Sequence, residues 1–107
     1  MRYLLTISDA EPARPLLAGL IAGGQLVCHG ALAPSSATTT VVGRDGTPAI
    51  VPGPWRDGPT PRAFLVIDCD DLDGAIDIAE RCGGTVEIRP VIPLAGPVDS
   101  AAGRSSA

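Results

Sequence analysis

From Arg2 to Ile7 the chain alternates, with Tyr3, Leu5 and Ile7 on one side and Arg2, Leu4 and Thr6 on the other. A period of two marks a strand with unlike faces, and it predicts the first strand here. Pro12 and Pro15 lack the amide that a helix interior needs, so the helix that follows is predicted to begin near Pro15. Leu16, Leu17, Leu20 and Ile21 give it one apolar face, and Gly23-Gly24 stops it early. Gln25 to Leu32 predicts a second strand, with Leu26, Cys28 and Leu32 on one face and Val27, His29 and Ala31 on the other. The β-branched stretches Thr38 to Gly43 and Thr47 to Val51 predict a hairpin turned at Asp45-Gly46. Four prolines and two glycines between Pro52 and Pro61 then predict a loop, with Trp55 inside it.

Arg62 to Cys69 is the most strand-like run, placing Ala63, Leu65 and Ile67 on one face and Phe64, Val66 and Asp68 on the other. Asp70 or Asp71 is positioned to cap a second helix. In it Leu72, Ala75, Ile76, Ala79 and Cys82 fall at helical spacing, Asp77 and Arg81 can pair, and Gly83-Gly84 ends the run. Thr85 to Arg89 is the last strand, with Val86 and Ile88 opposite Glu87 and Arg89, before Pro90. The order predicts an α+β chain, a ferredoxin-like βαββαβ unit with an inserted β-hairpin. Residues 1–92 are expected to form this domain and residues 93–107 a C-terminal arm or flexible tail. Both helices should cover one face of the sheet. The other face is expected to carry Leu4, Thr6, Val27, His29, Ala31, Phe64, Val66 and Glu87, too apolar for water and too polar for an ordinary core. A second subunit over that face would enclose a partly polar cavity, so a homodimer is predicted.

Composition narrows the partners. A chain of 107 residues fits one domain of modest stability, which oligomerisation would help. The net charge is −4 and the basic residues, all arginine, do not cluster, which argues against a nucleic-acid partner. No apolar run approaches the roughly eighteen residues of a membrane span, and Met1-Arg2-Tyr3-Leu4-Leu5 turns polar too soon for a secretory segment. A cytoplasmic location is expected. Cys28, Cys69 and Cys82 lie far apart without a C-x-x-C pair, and His29 is the one histidine, so buried free thiols are expected, with no metal and no cofactor. The absence of lysine and asparagine amid abundant Ala, Gly and Pro suggests a GC-rich bacterial genome.

An ordered set of segments carries a family likeness. Ala37-Thr-Thr-Thr-Val-Val-Gly-Arg-Asp-Gly46, Val51-Pro-Gly-Pro-Trp55, Phe64-Leu-Val-Ile-Asp68, Asp71-Leu-Asp-Gly-Ala75 and Gly83-Gly-Thr-Val-Glu-Ile-Arg-Pro-Val91 together resemble the YCII-related proteins, in particular their DGPF branch. The resemblance spans residues 24 to 92 and implies a dimeric α+β barrel. The family's Asp-Gly-Pro-Phe stands here as Pro52-Gly53-Pro54-Trp55, followed by Arg56-Asp57 in place of the usual acidic and lysine residues. Catalytic relatives in the wider group resemble one another in a His on the first helix and an Asp just after the second strand. The first helix here has no His, and Pro34-Ser35-Ser36 has no Asp.

Each candidate site residue has a functional and a plainer reading. His29 could serve as a general acid or base in the cavity, paired with Thr6, Tyr3, Asp68 or a residue of the other subunit, or be a structural imidazole of the lining. Glu87 lies three strand spacings from it in the family's strand order, roughly 14 Å, too far for a direct pair. Trp55 could lie over the cavity mouth and stack on a planar ligand, or simply pack its loop. Arg2, Arg62 or Arg89 could hold a ligand carboxylate, or be solvated strand-end charges. Asp68, Asp70, Asp71 and Asp73 suggest a metal less than they suggest helix capping. Thr6, Phe64, Val66, Trp55, Arg62 and Glu87 form the expected ligand lining, with His29 for proton transfer. The function expected is binding of a small aromatic or acidic metabolite, with cofactor-independent lyase, dehydrohalogenase, isomerase or cyclase chemistry on it. The alternative is a non-catalytic accessory or regulatory module, since DGPF relatives are associated with sigma factor genes.

Overall fold

The computed structural model describes residues 1–43 and 46–95. In chain order its elements are β1 (Arg2–Ser8), α1 (Arg14–Ala22), β2 (Leu26–Ala31), β3 (Thr39–Val42), β4 (Ala49–Pro52), β5 (Pro61–Asp68), α2 (Leu72–Cys82) and β6 (Thr85–Pro90), with a short 3-10 turn at Ser35–Ala37. The main sheet has four strands in the order β2-β5-β1-β6, every neighbouring pair antiparallel. β3 and β4 pair antiparallel as a separate sheet. The architecture is α+β and compatible with a ferredoxin-like fold. No helix among the described residues is long and apolar enough to cross a membrane. Asp45, expected in the hairpin turn, and the tail from residue 96 onward lie outside the described residues.

Strand alternation decides where the core sits. Tyr3, Leu5 and Ile7 stand opposite Ile67, Leu65 and Ala63 of β5 and opposite Pro90, Ile88 and Val86 of β6. With Leu20 of α1 and Ala75, Ile78 and Cys82 of α2 the residues of β1 and β5 form one hydrophobic core, in which Leu5, Ile7, Leu65 and Ile67 are fully buried and against which Val86 and Ile88 of β6 pack. Each such side chain contributes about 1.5–3 kcal/mol relative to exposure. Both helices therefore cover the same face.

The helices depart from expectation in detail. α1 begins at Arg14, one residue before Pro15, because a proline in the first turn forfeits no intrahelical hydrogen bond. Only Leu20 of α1 is buried, and Ile21, expected on its apolar face, is 59% exposed. In α2 the cap is Asp71, whose Oδ1 accepts from the Gly74 amide at 3.0 Å. The buried face is Ala75, Ile78 and Cys82, while Leu72 and Ile76 are exposed. Residues three, four and seven apart share a helix face, and one residue further on lies about 100° around the axis. The expected Asp77–Arg81 ion pair is not formed; Arg81 Nε donates to the Asp77 backbone oxygen at 3.4 Å.

Gly83 and Gly84, with φ of 77° and 66°, turn the chain from α2 into β6 in the left-handed region. A Cβ on Gly84 would overlap the carbonyl oxygen of Ser8, a backbone atom that cannot swing aside. Gly84→Ala is therefore expected to destabilise by about 1–3 kcal/mol from the backbone alone. Urea denaturation midpoints would register the loss.

Candidate functional site

Among the described residues, no element covers the face of the main sheet opposite the helices. Leu4 pairs with Val66 and Arg89, and Thr6 with Phe64 and Glu87, so these side chains share it. On the two central strands Leu4, Phe64 and Val66 are apolar and half-buried, with Thr6 beside them. Charge is kept to the margins, Glu87 and Arg89 on the edge strand β6 and Arg2 and Asp68 at one end. A hollow of about 470 Å³ runs along the β6 side between Leu4, Thr6, Glu87 and Arg89.

β2 breaks the alternation that the sequence suggested. Leu26 pairs with Ile67 but Cys28 pairs with Val66, so β2 advances two residues while β5 advances one. Val27 is the extra residue of a bulge, and every later residue of β2 is turned to the other face. Cys28 and Gly30 consequently lie on the uncovered face, whereas His29 and Ala31 stand beside Leu65 and Ala63 on the helix side. The expectation that His29 and Ala31 line the uncovered face is thus corrected. A glycine at position 30 matches the geometry, since a Cβ there would come within 2.7 Å of the Phe64 ring. The ring lies across the edge strand.

The other expected site residues separate. Thr6, Asp68 and Glu87 lie on the opposite face from His29, and Tyr3 shares its face but stands two strands away, roughly 10 Å. Trp55 is 57% exposed and lines a shallow hollow with Thr40, Val41 and Val42 of β3, a hollow that includes no residue of the uncovered face. Arg62 falls at a register shift opposite the Ile7–Ser8 step, where its guanidinium comes within 4.0 Å of Glu11. Of the aspartate cluster, Asp68 is engaged by Arg2 and Asp71 by its helix. The cysteines are free, but only Cys82 is buried; Cys69 is half-buried and Cys28 exposed, which corrects the expectation of three buried thiols. Burial pushes the Cys69 and Cys82 thiols and the Tyr3 phenol upward, away from their reactive anions.

Arg2 grips Asp68 across β1 and β5 through two hydrogen bonds, Nε to Oδ1 at 2.8 Å and Nη2 to Oδ2 at 2.9 Å. These bonds hold the Asp68 carboxyl below the usual aspartate range, partly opposed by desolvation. A depressed carboxyl pKa adds stability above the unfolded value and loses it as pH falls through the folded one. Asp68→Asn is therefore expected to flatten the acid limb of stability below about pH 4, by a small amount because both side chains are half-exposed. Denaturation at a series of acidic pH values checks it; an unaltered acid limb would mean the pair contributes nothing.

Fold and face together define an α+β protein with one helix-covered sheet surface and one that no described element covers. No protein-family model matches the chain, and no curated protein matches it in sequence.

Proposed function

We propose that the chain works as a homodimer whose uncovered sheet faces meet, and that the partly polar interior so formed binds a small aromatic or acidic metabolite. The observation that carries this reading is the layout of that face: Leu4, Phe64 and Val66 at its centre, with Arg2, Asp68, Glu87 and Arg89 at its margins. An apolar centre with a polar rim is the anatomy of an interface, and an antiparallel sheet meant for water would alternate to polar residues there. The resemblance to YCII-related proteins of the DGPF branch supports the same arrangement, a dimeric α+β barrel with the β3–β4 hairpin as an insertion. Phe64 and Val66 would offer apolar surface to the ligand, and Thr6, Glu87 and Arg89 its polar contacts.

His29, turned to the helix side, has no place in that interior. This favours binding over His29-driven lyase, dehydrohalogenase, isomerase or cyclase chemistry, and it lends weight to the second reading, a non-catalytic accessory or regulatory module. Light scattering at micromolar concentration tests the foundation of the first. The expected mass is twice 10.8 kDa. A stable monomer would end the shared-interior reading.

A further inference from the structure

β6 forms one rim of the main sheet, and among the described residues no strand pairs with its free side. It runs against β1 without a register shift, whereas the other rim strand, β2, is broken by its bulge. An unbroken edge is a template for a further strand. The groups it offers follow from one bond. The Val91 amide donates to the Arg2 carbonyl at 2.8 Å, so Val91, Arg89 and Glu87 turn their backbone groups toward β1. Val86, Ile88 and Pro90 turn theirs outward. Above the edge lies α2, which packs over β6 and β1. At about 100° per residue, Ile78 falls on one side of the line through Ala75 and Cys82, and Leu72 and Ile76 fall on the other. Ile78 is 1% exposed and faces the middle of the sheet; Leu72 and Ile76, 50% and 38% exposed, face outward above the free edge.

We infer that the free edge of β6 pairs with β6 of a second copy, antiparallel about a two-fold axis at Ile88. Outward-facing residues must pair with outward-facing ones, which leaves registers centred on Glu87, Ile88 or Arg89. The first sets Glu87 against Glu87 of the second copy, and the last sets Arg89 against Arg89. The register centred on Ile88 sets Glu87 against Arg89 twice over, in the pairs whose side chains stand closest. Charge therefore selects it. In it the two Ile88 residues exchange two hydrogen bonds, and each Val86 amide donates to the opposite Pro90 carbonyl. Pro90 lacks only the amide, and its carbonyl accepts. The helices fit the same axis. With α2 about half a strand spacing inside β6, the two α2 axes stand about 10 Å apart, close to the 8–10 Å at which helices pack. Back from the Gly83-Gly84 turn, Ile76 lies about 9 Å along α2 and Ile88 about 10 Å along β6, so both stand at the axis. The surface is small, one strand edge and one helix flank, so a dissociation constant on the order of 100 μM is expected. The edges stay apart at micromolar concentration.

Sedimentation of the full chain from about 5 μM to about 1 mM tests the pairing, because that range spans the expected dissociation constant. The weight-average mass should at least double across it, whatever the assembly at the low end. Glu87→Arg and Arg89→Glu, both at exposed positions, should each abolish the step. An equimolar mixture of the two should restore it, since every arginine then meets a glutamate across the axis. Ile76→Arg, which sets two like charges at the axis, should abolish it as well. The micromolar mass reports on the face-to-face interior and only the step reports on the edge, so the two readings fail separately. The proposal is overturned if the mass stays flat, if the step survives Glu87→Arg and Ile76→Arg, or if the mixture does not restore it.

Discussion

Val66→Asp is expected to convert the proposed dimer into a folded monomer at micromolar concentration. Val66 lies at the centre of the uncovered face, between Leu4 of β1 and Cys28 of β2. In a single chain that face meets water, so a carboxylate there costs the fold little. In the dimer the same carboxylate is buried, and each copy brings one. Burying an unpaired ion costs several kcal/mol, and the contact surface of valine is lost as well. At about 1.4 kcal/mol per tenfold, the dimer dissociation constant should rise by roughly three orders of magnitude or more. Light scattering reads the mass and circular dichroism the fold. A Val66→Asp protein that remains dimeric would place the interface elsewhere.

One residue earlier the expectation reverses. Leu65 has no exposed surface and stands between Leu5 and His29 in the floor of the core. Leu65→Ala is expected to cost about 2–5 kcal/mol, the lost transfer energy plus the cavity left behind. Against a total stability of roughly 5–15 kcal/mol this is large, and the thermal midpoint should fall by roughly 10 °C or more. Whatever stays folded should keep its association state, because the uncovered face is untouched. A midpoint within a few degrees of wild type would mean the sheet floor is not the core. Adjacent positions on β5 thus separate stability from assembly.

Much of this was legible along the chain because it follows from local periodicity. Tyr3, Leu5 and Ile7, and Ala63, Leu65 and Ile67, declare their shared face by alternation alone, and both central strands obey it. Gly83-Gly84 and Asp71 mark their helix ends through backbone and side-chain preferences that act within a few residues. The face of α2 was less legible. Ile76 and Ile78 are equally apolar, and only the direction in which the helix lies on the sheet buries Ile78 and exposes Ile76.

The candidate site divides the same way. The sequence by itself determined the element order, the helix-covered core and the apolar character of Leu4, Phe64 and Val66, since each depends on a repeat of two or of about 3.6 residues. Only the tertiary structure decided where His29 points. Nothing in Leu26-Val27-Cys28-His29 signals an extra residue in the ladder; the bulge is defined by how β2 registers against β5, a partner more than thirty positions away. The Arg2–Asp68 grip is likewise a cross-strand relation. Alternation along an unbroken strand fixes which residues share a face with one another, and pairing between strands fixes which face that is and where the alternation breaks.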